Sequence, residues 1–303
     1  MLRIRTITKA STYLKNYILQ ARAKRNLLPA IDDVDCWLAL DPISLYAAEI
    51  DGKVIGTLFL FKYDDGYRMA GGFYIDEKYR NQGYGFQLNR EVVKRAEPTT
   101  NLSLYTSPHL VEMSKRILGV RDLIYTAERR EFDILMALKK LQNIPMNSTY
   151  EIKEVSEVDF EALVNYDKFT FGYDHREFLY KWLFSPVSQS FVALNNDGSV
   201  VGYVVARESL VPNQGYTITP LYCEDIDVGL SLLRSVLQRI KEQGTSTSNL
   251  AYMHSPVDKN PQVNEFLEFI ESRRDLKYLF LTSNGEPNGR LEKCFSVSSF
   301  NSG

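Results

Sequence analysis

Phe73-Tyr74-Ile75-Asp76-Glu77-Lys78-Tyr79-Arg80-Asn81-Gln82-Gly83-Tyr84-Gly85 is the stretch on which the reading of this chain turns. An aromatic-rich apolar run ends at Ile75 and a polar loop follows. Behind Gly85 the apolar residues Leu88, Val92 and Ala96 recur at helical spacing. The pattern predicts a strand, a tight turn and a helix. Gly83 and Gly85 remove side chains just where a helix start exposes unpaired backbone N–H groups and its dipole favours negative charge. Such a turn can cradle a phosphate, and Arg80 adds a permanent cation with several donors at its edge. It is not a nucleotide P-loop, which needs a Gly-Lys-Ser/Thr ending, nor a dinucleotide fingerprint, which needs three glycines in a longer pattern.

Upstream of this stretch lies a hairpin signal, Tyr46-Ala47-Ala48-Glu49-Ile50-Asp51-Gly52-Lys53-Val54-Ile55-Gly56, two apolar runs joined by an Asp-Gly turn. The second half repeats it as Phe191 to Leu194 followed by Asn196-Asp197-Gly198-Ser199-Val200-Val201-Gly202. Laying Asp51 on Asp197 places Gly56 on Gly202 without a gap, which points to a duplicated unit. The flanks repeat too. The first half reads as a strand at 2–7, helical segments at 11–25 and 32–40, the hairpin, a strand at 68–75 and a helix. A strand at 102–105, a helix at 109–118 and a closing strand at 129–138 complete it. The second half reads as a strand at 151–155, helices at 158–166 and 176–184, the hairpin, a strand at 216–222 and a helix from Ile226 to Ile240. A strand at 250–254, a helix at 263–272 and strands around 276–282 and 291–297 follow. The fold class is therefore α/β (α+β mixed sheet), with domains at 1–144 and 149–283, a breaker-rich link around Asn143, Pro145, Asn147 and Ser148, and a tail at 284–303.

The 303 residues suffice for two cores, and 44% hydrophobic with 24% charged residues excludes a disordered or fibrous chain. Apolar runs fall short of the ~18 residues a membrane helix needs, so no membrane partner is expected. With 36 basic against 38 acidic residues there is no bulk positive field for nucleic acid. Cys36, Cys223 and Cys294 are odd in number and far apart, which suggests neither disulfides nor zinc and fits a reducing setting, cytoplasmic or nuclear. His109, His175 and His254 read as surface or loop residues, and no metal site is expected.

Arg80, Gly83 and Gly85 fill the fixed positions of Arg/Gln-x-x-Gly-x-Gly/Ala, and in this order of elements the chain resembles the GNAT superfamily of N-acetyltransferases. The segment from Phe169 to Leu183, with Thr219-Pro220-Leu221-Tyr222, resembles the C-terminal GNAT-like domain of bacterial tandem acetyltransferases, and the whole chain is similar to nematode members of that group. The resemblance implies two tandem GNAT-like domains, each a mostly antiparallel mixed sheet flanked by helices. It also implies acetyl-CoA as co-substrate, an amine acceptor, and a monomer or homodimer. The cofactor-binding residues it implies are Phe73, Ile75, Arg80, Asn81, Gln82, Gly83, Tyr84 and Gly85. Of these, 73–75 lie on a splayed strand that bonds the pantetheine arm, and the N–H groups of 82–85 hold the pyrophosphate. In the second half, the gapless alignment lays Ile226 on Arg80, Asp227 on Asn81, Gly229 on Gly83 and Ser231 on Gly85. The cradle is lost, and Glu224, Asp225 and Asp227 would repel a pyrophosphate.

In this family the amine attacks the thioester directly, so the protein must position it, take its proton and stabilise developing charge. The resemblance makes a backbone N–H near Ile75 the oxyanion donor. It also places a tyrosine acid four residues before a glycine, and counting back from Gly119 gives Lys115, with Ser114 beside it. Glu49, Asp76 and Tyr74 are the candidate bases, with a water relay as another route. A non-catalytic acyl-CoA-binding regulatory or interaction protein is the alternative function. A small-ligand site in the second half, between its hairpin and 219–222, is a third.

Overall fold

Asp51 and Gly52 both take left-handed backbone angles, φ 49° and 75°, which is the conformation a two-residue hairpin turn demands. They join strands β2 (Leu45–Ile50) and β3 (Lys53–Lys62). The structure, a computed structural model, describes residues 1–145, 149–244 and 248–298. Residues 146–148, within the expected link, and 299–303 of the tail lie outside the described residues. By contacts the chain divides into two units. Among the described residues the first is Met1–Ile124 with Leu279–Pro287, and the second is Tyr125–Tyr278 with 288–298. This division of contacts differs from the expected domains at 1–144 and 149–283: residues 125–144 go with the second unit and 279–287 with the first.

In the first unit, β1 (Leu2–Ile7), β2, β3, β4 (Tyr67–Ile75) and β5 (Asn101–Thr106) lie side by side in that order. Beyond β5 comes the Leu279–Thr282 end of β12 (Arg273–Thr282). Only β4 and β5 run parallel among these pairs. Helices α1 (Thr12–Lys24), capped by the Ser11 hydroxyl, and α2 (Asp33–Leu40) come before the hairpin. Trp37 of α2 is fully buried and meets Phe59 of β3 edge-on at 5.5 Å. On the other face, Leu88 and Val92 of α3 (Tyr84–Val93) and Leu118 of α4 (Val111–Leu118) pack with Ala48, Ile55, Leu58 and Leu60.

The second unit repeats the plan with β6 (Asp122–Asp133, from Tyr125), β7 (Tyr150–Glu154), β8 (Ser188–Asn195), β9 (Val200–Glu208), β10 (Tyr216–Cys223) and β11 (Leu250–Pro256). Its order is β6-β11-β10-β9-β8-β7, and only β10 and β11 pair in parallel among these neighbours. Helix α5 (Ile134–Leu141) packs with α8 (Ile226–Gln243) and α9 (Pro261–Phe269) into one core, while α6 (Phe160–Phe171) and α7 (Arg176–Leu183) complete the unit. The closing strand expected at 129–138 is instead a strand to Asp133 and then α5. Asp133 caps Met136 N at 2.8 Å, and Ile134, Ala137, Leu138 and Leu141 share one helical face in the core, so capping and periodicity outweigh the apolar run.

Two of the three histidines are buried rather than on the surface. His175 Nε2 bonds Asp167 Oδ2 at 2.6 Å, and the Tyr203 hydroxyl donates to Asp167 Oδ1 at 2.5 Å. Burial and the Asp167 carboxylate push the Tyr203 hydroxyl pKa well up. Removing the shared acceptor strands two buried polar groups, so Asp167→Ala is expected to cost about 3–5 kcal/mol, read as a lower denaturant midpoint.

Candidate functional site

The parallel pairing of β4 and β5 runs from Tyr67↔Asn101 to Ala70↔Leu104 and stops. β4 carries on to Ile75 while β5 turns to its other neighbour, Leu279–Thr282, so the two strands part. A bulge helps to open the fork: between Thr57↔Tyr74 and Phe59↔Gly71, β4 has one residue more than β3. Asp76 N donates to Ile55 O on β3 at 2.8 Å. Strand alternation therefore turns the N–H and C=O of Ile75 to the opposite, open side.

Eight residues past the end of β4, Gly83 caps α3 at φ 80° with no side-chain cap on the helix amides. A Cβ there would meet only the far end of Gln87, at 3.9 Å. Gly85 has a different role, since its Cβ would stand 3.0 Å from Phe73 Cζ and 3.4 Å from Ile75 Cγ1. Its absence lets the helix start lie directly on the parting strand. Asn81 takes a left-handed angle, φ 59°, and Gln82 Nε2 donates to Lys78 O at 2.8 Å, which shapes the loop between them. Tyr84 opens the helix with its ring edge-on to Tyr79 at 6.3 Å. Arg80 folds back: its Nε donates to Ile75 O at 2.9 Å and its guanidinium lies 5.6 Å from the Tyr74 ring centre. The cation thus fixes the strand end as well as charging the loop.

Two further side chains reach this strand from the α1 region, and nothing in the sequence pattern marks them. The Tyr17 hydroxyl donates to Asp76 Oδ1 at 3.0 Å, and Arg25 Nη1 donates to Phe73 O at 2.9 Å. Burial, and next the Asp76 charge, raise the Tyr17 hydroxyl pKa. The same two causes raise Tyr74, which makes it a poor base. Glu49 is held by Arg5 at 3.4 Å on the β1–β2 pair, two strands from β4, hence roughly 10 Å away by strand spacing. Lys115 on α4 pairs with Glu112 at 3.1 Å at the surface, while Ser114 bonds Thr106 in the interior at 3.1 Å. The structure therefore gathers Phe73, Ile75 and 80–85 at one fork, adds Asp76 with Tyr17, and gives Glu49 and Lys115 partners of their own.

The second unit keeps the strands and loses the loop. Leu60↔Ala70 and Gly56↔Ile75 in the first correspond to Ala206↔Ile218 and Gly202↔Cys223 in the second. The hairpin strand keeps the gapless spacing, but Ile218 and Cys223 lie two residues further along than it requires. Glu224 is thereby the counterpart of Asp76, and its N–H bonds Val201 O at 3.0 Å as that of Asp76 bonds Ile55 O. Asp225 then caps α8 only two residues after Cys223. The expected overlay of Gly83 on Gly229 and Gly85 on Ser231 is corrected: Gly229 takes the place of Gly85, its Cβ position lying 3.1 Å from Cys223 Sγ. Two of the amides at the start of α8 are already used, Val228 N by Asp225 Oδ1 at 2.9 Å and Ile226 N by Gln262 Oε1 at 2.7 Å.

Comparisons with known proteins agree with this fold. A family model described as "Acetyltransferase (GNAT) family" matches residues 14–113, and one described as "Acetyltransferase (GNAT) domain" matches 163–271. A holothin acyltransferase of Pseudoalteromonas sp. (strain SANK 73390) is 22% identical over 218 residues, covering 72% of this chain and 69% of that protein. A putative acetyltransferase from Pyrococcus horikoshii superposes with a TM-score of 0.75 at 14% identity, covering 100% of this chain and 96% of that one. A tandem GNAT protein from the clavulanic acid biosynthesis pathway gives 0.69 at 13% identity, with 95% and 100% covered.

Proposed function

Because the chain belongs to the GNAT acetyltransferase family, as a tandem member and an acyltransferase, we propose that it moves an acetyl group from acetyl-CoA to an amine in its first unit. One observation carries the reading: an open strand fork meets a helix start whose amides have no side-chain cap and where Gly83 leaves room for a ligand. These residues fit a diphosphate and an amide-bearing arm. Backbone N–H groups of 82–85 hold the diphosphate at the positive end of α3. The open-side backbone of 73–75 bonds the arm, and Arg25 and Arg80 keep that backbone in place through Phe73 O and Ile75 O.

When bound, acetyl-CoA supplies an activated thioester carbonyl. Asp76 is the base: it follows the Ile75 N–H in the chain, whereas Glu49 is held by Arg5 and burial with the Asp76 charge raises the Tyr74 hydroxyl pKa. Tyr17 orients its carboxylate, so an incoming ammonium gives its proton to a fixed acceptor. The Ile75 N–H is the donor aimed at charge that develops on the open side. Lys115 takes no part, and a thiolate needs protonation less than an alkoxide would.

Calorimetric titration with acetyl-CoA, CoA and NADH tests this. About one equivalent of acetyl-CoA and no NADH is expected, followed by release of free thiol with some member of an amine panel. No saturable acetyl-CoA binding would overturn it. Binding without turnover on any amine would favour the regulatory alternative, for which the pairing of Lys115 with Glu112 in place of an acid tyrosine speaks.

A further inference from the structure

The second unit has a fork of its own, and the chain fills it. β10 and β11 pair in parallel from Tyr216↔Ala251 to Ile218↔Met253 and then part. Into the gap comes β13 (Cys294–Ser296). Leu221 and Tyr222 pair with Ser296 and Cys294 on one side. On the other, Val297 N donates to His254 O at 2.9 Å. Ser296 sits in the crotch of the fork, its hydroxyl donating to Ile218 O at 2.7 Å and accepting from His254 N at 2.9 Å. Residues 294–298 are buried, and Phe295 meets Phe266 at 5.2 Å.

The residue before this strand completes the pattern. The Lys293 ammonium forms an ion pair with Glu224, the counterpart of Asp76. A primary amine therefore stands at the carboxylate and an extended chain runs through the fork behind it, while two of the helix-start amides, Ile226 N and Val228 N, are taken by side chains of the same unit.

We propose that the fork of the second unit is a peptide-binding cleft whose resident ligand is this chain's own segment 293–298, with Lys293 in the amine position, and not a second acyl-CoA site. The analogy between the two forks rests on the proposed function; the peptide cleft itself does not. Backbone bonds on both sides supply affinity, and the Phe295 pocket and Glu224 supply specificity.

The test uses the chain ended at Arg290 and a fluorescent peptide with the sequence 291–298, followed by anisotropy. Saturable binding at one equivalent is expected, at least tenfold weaker for the Val297→Pro peptide, which lacks the N–H given to His254 O, and several-fold weaker for Lys293→Glu. The shortened chain should bind no more acetyl-CoA than the full one. A cooperatively unfolding shortened chain that ignores the peptide, or that binds the Val297→Pro form equally well, would overturn the proposal, as would an added equivalent of acetyl-CoA. If the shortened chain does not fold, hydrogen exchange on the full chain decides. Excess free peptide should raise deuterium uptake in the chain's own 291–298, and unchanged uptake would sink the idea. Absence of acetyl-CoA binding in both chains counts against the first-unit reading alone, since the peptide measurement stands apart from it.

Discussion

Asp76→Asn is expected to lower kcat for acetyl transfer by about 10²–10⁴, the usual worth of a positioned base, with acetyl-CoA affinity changed by no more than about twofold. The amide keeps the shape of the carboxylate and can still accept from Tyr17 through its oxygen, so the fork is preserved while the proton acceptor is lost. Tyr17→Phe should do less, about tenfold, because it removes only the bond that orients the carboxylate. Glu49→Gln should leave kcat nearly unaltered, as Glu49 is spent on Arg5. Steady-state kinetics across pH reads all three. If Glu49→Gln fell as far as Asp76→Asn, the assignment of the base would be wrong.

Gly83→Glu is expected to weaken acetyl-CoA binding by at least ~100-fold, because a carboxylate at the helix start repels the anion that the amides would hold. The left-handed backbone at position 83 adds strain of about 1–2 kcal/mol. Gly83→Ala carries that strain without the charge and should keep most of the affinity, so calorimetry on the pair separates electrostatics from folding. Gly85→Glu is a less clean test, since any Cβ there presses on Phe73 at 3.0 Å. Equal binding by Gly83→Glu and Gly83→Ala would remove the diphosphate from this turn.

The hairpins, the order of elements and the loop from Arg80 to Gly85 were legible because each rests on local rules of turn residues and periodicity. What escaped depends on contacts far apart in the chain. Tyr17 meets Asp76 across 59 positions, and helical periodicity says nothing of which strand a polar tip will reach. The overlay of the two halves failed beyond the hairpin because a change in strand–strand loop length moves the partner strand without disturbing either pattern. His254, at the end of the strand expected at 250–254, reads from sequence as a surface or loop residue, yet it lies buried where β11 receives the tail strand. The segment 294–297 read as one more strand, since a short apolar run does not disclose that it sits within a fork.

The strand Leu279–Thr282 has a consequence in time. It closes the outer edge of β5 in the first unit, yet it leaves the ribosome more than 150 residues after that unit's other strands. At about 5–20 residues per second, the β5 edge stays open for roughly ten to thirty seconds, a bare row of N–H and C=O groups of the kind that recruits other chains. The nascent first unit thus depends on protection by chaperones, or on the rest of the chain arriving promptly, and a gene cut at the apparent midpoint would make that exposure permanent.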